Sequence, residues 1–156
     1  MRGPSRRPLR ALPGNESGVA LIEFVIVLPL LLILLFGFVE IGRALWTHNV
    51  ITGGVRDGVR YMTRVPLEDA FRDRARNVAV FGTPTGTVPR SSRWTDPGTI
   101  QITERLVEHD DDFRNDPLWV VEMRALVPVE FPLLRFVGLS GTITFEVIDR
   151  ARWIGE

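Results

Sequence analysis

From Val19 to Val39 the chain carries 21 residues with a single charged side chain, Glu23. No other stretch so restricts what the protein can become. As an α-helix rising ~1.5 Å per residue the run spans ~31 Å, the thickness of a hydrocarbon core of ~30 Å. The reading is a membrane helix, with the span at about residues 19–41. A lone carboxylate is costly in lipid, about 2.5–3.5 kcal/mol at the bilayer centre, so Glu23 needs either an interface or a partner. The run starts directly after Gly18, and Phe24 follows Glu23. Pro29 lies a third of the way along, where lipid tolerates a kink or local break. Gly37 and Gly42 permit close helix approach without forming a small-xxx-small pair.

With 21 of 156 residues in lipid, there is room for one small additional domain. The formal net charge is zero, which gives no field for nucleic acid. The balance is uneven along the chain. Residues 1–18 hold four Arg against Glu16, a net of +3, and the remainder holds 15 Arg against 18 acids, a net of −3. A basic flank before an apolar helix predicts a cytoplasmic N-terminus and an extracytoplasmic C-terminal part. The leader 1–18 is rich in Arg, Pro and Gly and has no apolar period, so it is expected to lack a fold. Ser5-Arg6-Arg7-Pro8-Leu9-Arg10 is a loose twin-arginine pattern and Asn15-Glu16-Ser17 a glycosylation pattern, both weak.

The apolar run is followed by an amphipathic continuation. Ile51, Val55, Val59 and Met62 recur at steps of 4, 4 and 3, predicting a helix to about Arg64. Glu40 with Arg43, and Asp57 with Arg60, are spaced to pair at i, i+3, and Trp46 suits a headgroup layer. Gly53, Gly54 and Gly58 weigh against this outer half, at about 1 kcal/mol each relative to Ala.

Pro66 ends the long helix. A second begins near Leu67, with Leu67, Phe71, Ala75 and Val78 on one face, and closes at Gly82 and Pro84. Its Arg72, Arg74 and Arg76 read as a solvated face. Residues 82–98 are loop chemistry, within which Trp94 is expected to cap a core.

Three alternating segments follow, around 100–106, 119–127 and 143–153, with Glu104 breaking the apolar face of the first. They predict a three-stranded antiparallel meander packed on the preceding helices. The fold class is therefore α+β: a long N-terminal transmembrane and amphipathic helix, a short helix and a small sheet. The predicted division is a basic leader 1–18, a long helix 19–64 and an extracytoplasmic domain 65–156.

The acidic stretch Glu108-His109-Asp110-Asp111-Asp112, with Asp116, lacks calcium-loop spacing and reads as a solvated loop. Val129–Leu139 is apolar for a connection and is expected to be buried under the core. The absence of Cys excludes disulfides and thiolate chemistry, and His48 and His109 lie 61 residues apart without a nucleophile, phosphate-loop or zinc motif around them. Neither catalysis nor a cofactor or metal site is expected.

Two resemblances sharpen this reading. A basic leader, then Gly18, then Val19-Ala20-Leu21-Ile22-Glu23-Phe24 resembles the processing site of type IV prepilins. That likeness implies cleavage between Gly18 and Val19 by a membrane-embedded prepilin peptidase. Independently of any family, an amine freed at Val19 would leave a positive charge near lipid that a neighbour's Glu23 could neutralise; an interfacial Glu23 on an ordinary anchor is the alternative. Leu28-Pro29-Leu30, Gly37-Phe38-Val39-Glu40-Ile41-Gly42-Arg43-Ala44 and Val55-Arg56-Asp57-Gly58-Val59-Arg60-Tyr61 further resemble the TadE-like family, with Val55 and Val59 where the family has small residues. This implies a pilin-like fold and a pseudopilin role in the tight-adherence (Tad, or Flp) pilus machinery, with other pilus subunits and Tad assembly proteins as partners. Peptidase recognition would fall on Gly18 and Val19, subunit pairing on Glu23 and Phe24. The juxtamembrane motif would be Glu40, Gly42, Arg43, Arg56, Asp57, Gly58, Arg60 and Tyr61. The rival is a permanently anchored extracytoplasmic binding domain that is never processed.

Overall fold

The computed structural model describes residues 16–107, 118–133, 138 and 141–155. Most of the leader, the acidic stretch 108–117 and much of the apolar connection 129–139 therefore lie outside the described residues. Element order is α1 (Glu16–Met62), α2 (Asp69–Phe81), a 3-10 turn (Pro97–Thr99), β1 (Ile100–Val107), β2 (Leu118–Glu130) and β3 (Thr142–Arg152). Packing divides the chain into two compact units, at Leu35 and Phe36.

In the first unit the described chain is wholly helical and runs without a break through Pro29. Of the kink or local break that Pro29 allows, the break is absent, since helical structure continues on both sides of it. Its Leu, Ile, Val and Phe side chains are exposed all round, as in Leu21, Phe24, Ile26 and Leu30. A helix apolar on every face has no wet side and suits lipid or other apolar helices.

The second unit is an antiparallel meander in the order β1-β2-β3 with helices on one face. Val121, Met123, Ala125, Val127 and Val129 of β2 are buried on that face. The strand continues through Pro128 to Glu130, so Val129 belongs to the sheet core and not to the connection. Opposite it, Ile51, Val55, Val59 and Met62 of α1 are all at most 1% exposed, which establishes the 4, 4, 3 stripe as core. Ala75, Ala79 and Val80 of α2 and Trp94 complete the cluster.

The glycines of α1 explain how α2 fits. An added Cβ at Gly54 would lie 2.4 Å from the Ala79 carbonyl oxygen and 2.7 Å from the Trp94 ring. At Gly58 it would lie 2.7 Å from Met123 Cε and 3.0 Å from the Ala75 carbonyl oxygen. Gly54 and Gly58 thus face Ala75 and Ala79, a four-residue step of small residues on each helix that brings the backbones together. What reads in sequence as a helix-weakening cluster is a helix-crossing surface.

At the end of α2, Gly82 adopts φ 84° and its N–H bonds to the Val78 carbonyl. Gly82→Ala is expected to cost about 1–2 kcal/mol, the penalty of a left-handed L-residue, in thermal unfolding of the full chain.

Glu104, the residue that broke the β1 pattern, lies on the inner face opposite Val121. Arg72 of α2 meets it with two hydrogen bonds, Nε to Oε1 at 2.8 Å and Nη2 to Oε2 at 2.9 Å. These bonds, more than the added pairing with Asp69, raise Arg72 further above the ordinary arginine value, so it stays charged wherever the fold survives. Arg76 Nε donates to the Ile100 carbonyl. The arginines of α2 are therefore partly a helix-to-sheet seam rather than a solvated face. Beyond β3, Trp153 donates Nε1 to Val65 O at 2.9 Å and Ile154 N to Thr63 O at 3.0 Å, tying the end of the sheet to the end of α1.

Candidate assembly helix and juxtamembrane cluster

The sequence-predicted residues fall into two groups. Gly18, Val19, Glu23 and Phe24 lie near the start of α1, where Val19 is 60% and Phe24 55% exposed and Glu23 is exposed as well. Among the described residues none is buried against these side chains.

Glu40 is different. The first carboxylate after the apolar run is 1% exposed. Its Oε1 accepts the Leu133 backbone N–H at 2.7 Å, and its Oε2 meets Arg93 Nη2 at 3.4 Å. The expected Glu40–Arg43 pair is not formed. A buried carboxylate takes the partners that best replace water, here an amide and a half-buried guanidinium. Gly42 has open space around it, and Arg43 is exposed.

Asp57 likewise turns from Arg60 to Arg90, at 2.7 Å. Arg90 also donates its backbone N–H to Val80 O and its Nη2 to Val78 O. Trp94, 1% exposed, donates Nε1 to Thr99 Oγ1 at 3.0 Å and lies on Gly54. The loop 82–98 is thus fastened to the helices by Arg90, Arg93 and Trp94, and the core-cap role expected of Trp94 holds. No sequence signal selects Arg90 and Arg93 from 19 arginines.

The run 55–61 is spread around α1 by its ~100° step per residue. Val55 and Val59 enter the core, Gly58 meets α2, Asp57 meets Arg90, and Tyr61 packs partly buried at the core edge. Arg56 and Arg60 remain exposed, beside Arg64 and Arg152. The motif is mostly a packing code for the outer half of α1, with two exposed arginines left over.

A family model described as TadE-like protein matches residues 18–60, starting on the glycine of the leader boundary and ending within α1. Over these residues the chain is similar to the TadE-like family. The TadE-like segment contains the whole apolar run, Glu40 and the glycine crossing. A match to this family points to an association with the tight-adherence pilus, and among the described residues α1 is the one helix long and apolar enough to cross a membrane. No curated protein and no solved structure gives a significant match to the chain.

Proposed function

We propose that this is a non-enzymatic minor pseudopilin of a Tad pilus or related secretion machinery. It inserts with its basic leader in the cytoplasm, is cut after Gly18 by a prepilin peptidase, and joins other pilus subunits through its first helix. The observation that carries this reading is the helix surface from Val19 to Leu35, apolar on every side and exposed, starting directly after Gly18 and interrupted only by Glu23. A permanent anchor needs the apolar length but not a carboxylate at the fifth position after a glycine. In an assembled pilus that carboxylate would pair with the Val19 amine of a neighbouring subunit, replacing two costly lone charges with one ion pair.

N-terminal sequencing of the protein isolated from membranes that contain the peptidase tests the reading. A mature end at Val19 is expected, whereas an intact Met1 would leave an unprocessed anchor. Glu23→Ala is expected to be cut normally yet to fail to enter pili, as measured by the protein sheared from cells. Normal incorporation would remove the pairing role.

A further inference from the structure

Where the apolar run ends, α1 and the 82–98 loop form a pocket of about 480 Å³. Val39, the last residue of the run, lines it together with Arg43, Trp46, Arg90, Ser92 and Arg93. Arg90 is paired with Asp57 and Arg93 with Glu40, whereas Arg43 has no ion-pair partner among the described residues. Arg93 Nη1 is buried with no hydrogen-bond partner among the described residues, out of reach of the open pocket. The lining of the pocket therefore holds one positive charge in excess, that of the exposed Arg43.

Its depth relative to lipid follows from the helix. Arg43 lies four residues beyond Val39, or ~6 Å along the axis, and the headgroup layer extends ~5–7 Å beyond the hydrocarbon. Trp46, 69% exposed, stands one turn further, where an indole prefers the interface. We propose that this pocket binds the phosphate headgroup of an anionic phospholipid in the leaflet from which the helix emerges. Arg43 contributes the free charge, the exposed Ser92 supplies a hydroxyl donor, and the Val39 wall continues into the acyl region. A free phosphate would share the polar contacts but gain nothing from that wall.

The inference rests on the membrane-span reading and not on peptidase processing, so a mature end at Met1 would leave it standing. To test it, the full chain is reconstituted in bilayers of equal parts phosphatidylcholine and phosphatidylglycerol, extracted in detergent, and its retained lipid counted by native mass spectrometry. Phosphatidylglycerol is expected to be retained in preference to phosphatidylcholine. Arg43→Gln should reduce that retention roughly fivefold, the effect of one arginine at an anionic surface. Arg105→Gln, which removes the same charge from an exposed strand position, should leave it unchanged. Equal retention of the two lipids, an unaltered Arg43→Gln variant, or an equal loss in Arg105→Gln would overturn the proposal. Binding of inorganic phosphate at the Arg43 site without a phosphatidylglycerol preference would also overturn it.

Discussion

Glu40→Ala is expected to lower the unfolding free energy of the second unit by about 3 kcal/mol, the loss typical of removing one member of a buried charge pair. The carboxylate is 1% exposed and serves two donors, so truncation leaves the Arg93 guanidinium without its anion and the Leu133 N–H without its acceptor. Denaturant unfolding of the full chain in detergent, followed by tryptophan fluorescence, measures the loss, since Trp94 and Trp153 report on the same packing. Glu40→Gln keeps an oxygen for the Leu133 amide and should lose less. Replacing Glu40 and Arg93 together with Met should recover most of the deficit, because an apolar pair leaves no charge unpaired. An alanine variant within about 0.5 kcal/mol of the parent would show that the cluster does not hold the end of the span to the 82–98 loop and the chain after β2.

Gly53→Ala and Gly54→Ala are expected to move stability in opposite directions although the residues are adjacent. A methyl at Gly53 meets nothing within 4 Å, so the better helix propensity of alanine stabilises by up to about 1 kcal/mol. A methyl at Gly54 meets the Ala79 carbonyl at 2.4 Å and the Trp94 ring at 2.7 Å. Backbone cannot yield as a side chain end can, so α2 and Trp94 must both retreat. The net loss should be about 2 kcal/mol after the propensity gain is included. Thermal unfolding of the two variants in the same detergent gives the comparison directly, and a stabilised Gly54→Ala would contradict the crossing described here.

The same residues mark how far sequence reasoning reaches. Periodicity located the core because burial on a helix or strand face repeats with the backbone: Ile51, Val55, Val59 and Met62, and Val121, Met123, Ala125 and Val127 of β2, are buried where the pattern placed them, whereas Trp119 at the strand's start is exposed. The anomalies in that pattern were structural contacts. Glu104 interrupts an apolar face because Arg72 covers it, and Gly54 and Gly58 stand in a helix because a second helix lies against them. Neither partner is adjacent in sequence, so no local rule names it. Charge pairing failed for the same reason. The i, i+3 neighbours Arg43 and Arg60 are available to Glu40 and Asp57, yet Arg93 and Arg90 hold them.

The amino-acid sequence alone determined the apolar run and its length, the order of helices and strands, the inward faces and the TadE-like signature from Gly18. These follow from hydrophobic transfer and backbone periodicity, which act residue by residue. Tertiary structure alone decided which arginine meets which carboxylate, why Gly54 and Gly58 must be small, and that Arg43, Trp46 and Arg93 line one pocket at the end of the run. Those depend on groups brought together by chain closure over tens of residues, where many pairings satisfy composition equally and only packing selects one.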